Sequence, residues 1–132
     1  MRKTPLKNKS TTKKASLDRH AEKYAAAWCK RHGKCLHCGT SFALEWAHIV
    51  HRRTKRIKFH PENAVCLCHT CHVDMDTHPA TFHSWIEKMF PGRWEFLAEL
   101  ERTSEKIDYD YWISYYRDTL GVRLKGEWKD GA

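Results

Sequence analysis

The stretch that decides the fold runs from residue 35 to residue 76 and contains two cysteine knuckles, CLHC at residues 35–38 and CHTCH at residues 68–72. Each knuckle has a Cys-x-x-Cys spacing, which lets two sulfurs face one point, and zinc prefers four such thiolates in a tetrahedral array. One structural zinc ion is therefore predicted at Cys35, Cys38, Cys68 and Cys71. Cys29 and Cys66 are expected to be small buried hydrophobic residues. Cys66 is the better spare ligand, because it lies so near Cys68.

Polar residues that suit the hydrolysis of a phosphodiester lie between and after the knuckles, at His48, Asn63, His72 and Asp76. That reaction needs an activated water and stabilisation of the charge that builds up on the phosphate. A neutral imidazole accepts a proton near neutral pH, so His48 is the candidate general base. Asn63 is predicted to hold the His48 ring and fix its tautomer. His72 and Asp76 have helical i, i+4 spacing, so one helical face presents both to a divalent cation.

Basic residues are concentrated at the start of the chain and around His48, within a net charge of +8. Residues 1–15 carry six positive charges and no negative one, and they are predicted to form a disordered arm. The segment after His48 is a candidate phosphate-binding segment, with Arg52, Arg53, Lys55 and Arg56. This distribution is typical of a protein that binds a polyanion.

Hydrophobic periodicity predicts an α+β chain in which two extended segments and a helix surround the knuckles and the C-terminal half is mostly helical. The predicted elements are a helix over residues 17–32, a strand over 42–47 that continues extended over 48–53, an apolar stretch over 64–67, and a helix over 70–77. Further helices are predicted after Pro79, near residues 82–90, 94–100 and 109–120. The aromatic residues of these helices are expected to form core.

One domain is predicted over residues 16–121, with a core at about 33–80, helices from about 80 to 121, and a loose tail at 122–132. The sequence has no apolar run that approaches a membrane span and no recognisable signal peptide. We therefore expect a cytoplasmic protein with reduced cysteines and no membrane partner.

The segment from His48 to the run NAVCLCHTCH at residues 63–72 closely resembles the HNH, or His-Me finger, endonucleases. It looks most like the small zinc-stapled HNH proteins of bacteriophages and prophages, and the match covers residues 30–80. The resemblance implies a ββα-metal core, a catalytic divalent ion such as Mg²⁺, Mn²⁺ or Ni²⁺, and cleavage of double-stranded or branched DNA in a bacterial host cell. It would make His48 the general base, Asn63 its orienting partner and His72 a metal ligand. Asp76 falls where the motif often has a second ligand.

One position departs from the family pattern. The family usually has Asp or His directly before the base, as a metal ligand, whereas this chain has Ala47, which cannot coordinate. His72 and Asp76 with extra waters could hold the ion, which is the arrangement we favour. Glu45 could instead reach in, because it shares the Ala47 side of the strand. His51 and His69 rank lower as substitute ligands.

Three functions remain open on the sequence. The leading hypothesis is a metal-dependent DNA endonuclease. The second is a zinc-stapled DNA-binding or packaging-accessory protein with weak or no catalysis, which Ala47 favours and the joint presence of His48 and Asn63 disfavours. The third is a nuclease or binding protein for RNA, because basic charge does not separate DNA from RNA.

Overall fold

A computed structural model describes residues 5–51 and 55–125, with side chains described from residue 13 onward except that of Lys55. The chain divides into two compact units. One unit combines the chain up to Ala27 with the chain from Asp108 onward, and the other is Trp28–Ile107. The predicted single domain over residues 16–121 spans both units.

The unit Trp28–Ile107 contains an antiparallel sheet of two strands, β1 (Leu44–His48) and β2 (Ala64–Cys68). Glu45 lies opposite Leu67, and His48 lies opposite Ala64. Strand β1 begins later than the predicted residue 42, because Ala43 adopts a left-handed φ of 55° that breaks the extended backbone. The strand ends at His48, so the predicted continuation is not formed over the described residues 49–51.

Helix α2 (His69–Thr77) follows β2 directly, as predicted for residues 70–77. Cys68 makes this sharp junction, because it ends the strand in an extended conformation while its Sγ accepts a hydrogen bond from the backbone N–H of Cys71. The order strand, strand, helix around the knuckles is therefore present. The first knuckle is tied to β2 just before this junction, where the Leu36 N–H donates to the Cys66 carbonyl.

Two further helices, α3 (Pro79–Met89) and α4 (Arg93–Thr103), lie where helices were predicted after Pro79. Proline is well suited to the first position of α3, because its missing N–H would have no partner there. One face of each helix supplies the core of the unit, with Phe82 and Ile86 from α3 and Leu97 from α4. They share a cluster with the sheet residues Ala47, Val65, Leu67 and the α2 residue Met75. Among the aromatic residues expected to form core, Phe82 is buried and Trp85 and Trp94 pack against the cluster half-buried, whereas Phe96 is exposed, so the expectation is confirmed in part.

The other unit contains most of helix α1 (Pro5–Cys29) and helix α5 (Tyr109–Ser114), which continues as a π-helical turn over Tyr115–Thr119. Ala21, Tyr24 and Ala25 are buried on one stripe of α1 at helical spacing. Helix α1 begins at Pro5 rather than near residue 17, so residues 5–15 are helical where a disordered arm was predicted. Residues 1–4 of the predicted arm and residues 126–132 of the predicted tail lie outside the described residues.

No helix within the described part of the chain combines the length and apolarity needed to cross a membrane.

Candidate functional site

The four knuckle cysteines come together as predicted. The sulfurs of Cys35, Cys38, Cys68 and Cys71 all lie within 4.8 Å of one another, and those of Cys38 and Cys68 are 3.8 Å apart. A tetrahedral zinc ion with Zn–S bonds of about 2.3 Å requires sulfurs about 3.8 Å apart, so the four positions fit this metal. In each knuckle the second cysteine donates its backbone N–H to the sulfur of the first over 3.4 Å. The residues thus form a four-cysteine site able to hold a structural metal such as zinc.

The local backbone prepares part of this site for a cation. Burial disfavours charge on the Cys35 sulfur, but the N–H groups of Cys38, Cys68 and His37 outweigh it and lower the pKa of Cys35 to about 6. Burial raises the pKa of the Cys71 thiol, and the neighbouring sulfurs raise it further. A cation would therefore meet one sulfur that ionises readily and would have to displace a proton from another. Binding of a metal at this site is accordingly coupled to proton release.

The two remaining cysteines lie outside this group. Cys66 is buried and Cys29 is half-buried. Burial raises the pKa of both thiols, that of Cys29 to about 12, so both favour the neutral form. Among the described residues, the set of converging metal-ligating atoms includes neither of them. Their expected role as small apolar residues agrees with this placement, and Cys66, the suggested spare ligand, lies outside the four converging sulfurs.

His48 is the last residue of β1, and its ring faces a backbone carbonyl. Its Nε2 lies 3.0 Å from the Lys58 oxygen, and its ring centroid lies 4.4 Å from that of Trp46. A carbonyl oxygen can only accept a hydrogen bond, so Nε2 must carry the proton. In the neutral ring, Nδ1 then carries the lone pair. The Lys58 carbonyl thus fixes the tautomer of His48, a role that was predicted for Asn63.

Asn63 is fully buried and braces the loop between the strands. Its Oδ1 accepts the Val50 N–H over 2.7 Å, and its Nδ2 donates to the carbonyls of Val50 and Ile57, each over 3.2 Å. Its amide therefore holds the backbone on both sides of the loop that carries Lys58, rather than the His48 ring. The connection between Asn63 and His48 therefore runs through the backbone of this loop. No side-chain pattern could have revealed the Lys58 carbonyl, because every residue has one.

Glu45 connects two histidines of helix α2. Its Oε1 lies 2.7 Å from His72 Nδ1 and its Oε2 lies 2.9 Å from His69 Nδ1. The hydrogen bond from His72, and then that from His69, lowers the pKa of the Glu45 carboxyl below its usual value. The other ring nitrogen of His72, Nε2, faces Asp76 Oδ2 at 3.9 Å. The structure thus brings together the predicted pair His72 and Asp76 with Glu45, the residue that the sequence suggested as an alternative ligand.

The two faces of β1 separate these groups. Side chains alternate along a strand, so Glu45 and Ala47 share one face while Trp46 and His48 share the other. Ala47 is only 1% exposed and belongs to the core with Val65. The Glu45 face contacts His72, whereas the His48 ring lies against Trp46 on the opposite face. The predicted base thus lies on one face of the small sheet. Helix α2, which carries the predicted cation ligands, contacts the other face through Glu45.

The predicted phosphate-binding residues are only partly described. Arg52, Arg53 and the side chain of Lys55 lie outside the described residues. Arg56 is exposed and donates from a guanidinium nitrogen to the Ser104 carbonyl over 3.2 Å. This hydrogen bond uses one nitrogen of the guanidinium and anchors it beside the end of α4.

His51 lines a cavity of about 430 Å³ whose walls come from the segment after β1 and from helices α3 and α4. His83, Trp94 and Glu101 are also in its lining. The His83 and Trp94 rings stack with centroids 4.3 Å apart, and the indole N–H donates to the His83 carbonyl. His51 therefore belongs to this cavity, and the histidines that Glu45 connects are His69 and His72.

Comparison of the chain with protein-family models, curated proteins and solved structures finds no match.

Proposed function

We propose that the protein is a divalent-metal-dependent endonuclease that hydrolyses DNA phosphodiester bonds. His48 activates the attacking water, His72 and Asp76 hold the divalent cation, and the four cysteines hold a structural zinc. The proposal combines the resemblance of residues 30–80 to HNH endonucleases with the contacts of these side chains. Basic charge near His48 supports a nucleic-acid substrate.

The observation that carries the proposal is the hydrogen bond between His48 Nε2 and the Lys58 carbonyl at 3.0 Å. It leaves the lone pair on Nδ1, which is the state a general base needs. The proton of a water would pass to Nδ1, and the imidazolium so formed would be stabilised by the same carbonyl. Asn63 supports this arrangement, because its three backbone hydrogen bonds hold the loop in place.

A divalent cation, when bound, would neutralise charge on the phosphate and help the leaving oxygen depart. The residues fit such an ion, since an imidazole nitrogen and a carboxylate oxygen face each other across 3.9 Å. His48 and His72 need no direct contact, because the phosphate and the attacking water must fit between base and cation.

The second candidate function is DNA binding without catalysis, as in a packaging-accessory protein. Burial of Ala47 in the core favours it, because the position that usually supplies a metal ligand contributes packing instead. The position of His48 also favours it, because His48 lies on the face of β1 opposite to the one that contacts His72 through Glu45. This candidate predicts DNA binding that does not depend on His48 and no cleavage with any divalent ion.

The test is nicking of supercoiled plasmid by the wild-type protein with Mg²⁺, Mn²⁺ or Ni²⁺, with and without chelator. We expect divalent-dependent nicking that falls by about 10²–10⁴-fold in His48→Ala, because a general base contributes rate enhancements of that size. His32→Ala, which removes an exposed histidine outside the site, is the matched control and should nick normally. Circular dichroism and zinc content verify that both variants fold.

Equal nicking by His48→Ala and wild type would remove His48 from its role. A wild-type protein that binds plasmid but nicks it with none of the ions would establish the second candidate instead. A labelled single-stranded RNA assayed in parallel addresses the third possibility, since preferential cleavage of RNA would change the substrate and leave the chemistry intact.

A further inference from the structure

We propose that Glu45 is a positioning residue that fixes the tautomer of His72, so that one defined ring nitrogen is presented to a divalent cation. The inference rests on the proposed function for the identity of the cation site. It follows from the contacts of Glu45 in this chain.

The direction of the hydrogen bond between Glu45 and His72 follows from the chemistry of the two groups. Glu45 Oε1 and His72 Nδ1 are 2.7 Å apart, a distance typical of a charge-assisted bond. An ionised carboxylate can only accept, so Nδ1 must carry the proton. The lone pair of the neutral His72 ring is then on Nε2, which faces Asp76 Oδ2.

The gap between His72 and Asp76 has the size that one bridging cation needs. His72 Nε2 and Asp76 Oδ2 are 3.9 Å apart, which is too long for a hydrogen bond. It is shorter than two metal–ligand bonds of about 2.1 Å placed end to end, so one cation can bridge the pair. The Asp76 side chain is 53% exposed and is therefore able to adjust to such an ion.

The contacts of Glu45 favour positioning of His72 over direct ligation of the cation. Both Glu45 oxygens already accept hydrogen bonds, one from His72 and one from His69. Glu45 also lies at the ring nitrogen opposite to the one that faces Asp76. Within the described residues, Glu45, His72 and Asp76 are not among the groups whose ligand atoms all lie within 4.8 Å of one another. Glu45 therefore acts through His72, as carboxylates that orient metal-bound histidines do.

This role gives the presence of Ala47 a physical account. An alanine at position 47 leaves His72 and Asp76 to hold the cation with waters, which Mg²⁺ tolerates. Fewer protein ligands make the orientation of each one more important. Glu45, on the same face of β1 as Ala47, supplies that orientation without entering the coordination sphere.

The experiment reads the His72 tautomer by ¹⁵N NMR of the imidazole before any divalent ion is added, and then measures Mn²⁺ affinity by calorimetry. In the wild-type protein we expect His72 Nδ1 to be protonated and His72 Nε2 to be unprotonated. In Glu45→Ala we expect the proton to redistribute toward Nε2 and Mn²⁺ affinity to fall by about 10–100-fold. Glu105→Ala is the matched control, because it removes an exposed carboxyl outside this cluster, and it should change neither readout.

Four results would overturn the inference: a wild-type His72 with Nε2 protonated, a Glu45→Ala protein unchanged in both readouts, an altered tautomer with unchanged affinity, or lower affinity with an unchanged tautomer. The last would identify Glu45 as a direct ligand. Full zinc content in each variant shows that the fold is retained. Neither readout uses DNA, so the inference about Glu45 and the nuclease proposal can fail separately. A protein that shows the expected tautomer and Mn²⁺ affinity but cleaves no DNA would contradict only the nuclease proposal.

Discussion

At the scale of single residues, Asn63 determines how well the loop between the strands is held. Its buried amide satisfies one backbone N–H and two backbone carbonyls. Leaving such groups unpaired costs about 1–3 kcal/mol each. The loop it braces carries the Lys58 carbonyl that faces His48, so stability and the state of the base are linked at this residue.

We predict that Asn63→Ala lowers the free energy of unfolding by roughly 2–5 kcal/mol, because three backbone groups lose their partner. Urea denaturation measures the loss. Hydrogen exchange at the Val50 amide should speed up, since that N–H donates to Asn63 Oδ1. The matched comparison is His48→Ala, which keeps these three hydrogen bonds and should retain protection at Val50. Full stability and an unaltered Val50 amide in Asn63→Ala would show that the brace contributes nothing.

The identity of a side chain predicted some of the contacts at the candidate site and missed others. The sequence pattern placed Asn63 and His48 in one functional group, and the structure connects them through backbone atoms. The partners of this buried amide are main-chain groups, and a sequence does not distinguish one such group from another. The contact of Glu45 with His72 was accessible in part, because strand alternation put Glu45 on the Ala47 side.

At the scale of elements, Cys68 joins three pieces of structure. It ends β2, caps α2 and places its sulfur 3.8 Å from that of Cys38 in the first knuckle. A metal held there would link the first knuckle, the end of β2 and the start of α2. The order of these elements could be predicted, because apolar periodicity and cysteine spacing both mark it. The start of β1 could not, because the left-handed φ of Ala43 is not a preference of alanine.

We predict that Cys68→Ser loses its zinc and unfolds at a lower denaturant concentration. Structural zinc contributes roughly 10–16 kcal/mol of apparent binding energy in finger peptides, so loss of one ligand should cost several kcal/mol. Atomic absorption and guanidinium denaturation measure the two effects. Cys66→Ser is the matched control, since it changes a buried cysteine of the same strand outside the four-cysteine group, and it should keep its zinc. A fully zinc-loaded Cys68→Ser protein of normal stability would contradict a structural role for zinc at the four cysteines.

At the scale of the whole molecule, the distribution of charge bears most directly on function. The chain has 24 lysines and arginines against 16 acidic residues, and its first fourteen residues are all basic or uncharged. Composition is fully readable from sequence, so the expectation of a polyanion partner needed no coordinates. The division into two units was not predictable, because it depends on long-range packing between distant segments of the chain.

We predict that replacing four lysines near the start of the chain by glutamine weakens DNA binding and flattens its salt dependence. Glutamine removes charge and is a good helix former, so α1 should persist. Removing one phosphate contact should reduce the slope of log K against log salt by about 0.9. The variant replaces Lys7, Lys9, Lys13 and Lys14, and the control with the same net charge replaces Lys23, Lys88, Lys106 and Lys125. Fluorescence anisotropy on labelled duplex DNA from low to moderate salt measures both. Equal slopes in the two variants would mean that only total charge matters and that the start of the chain makes no phosphate contacts of its own.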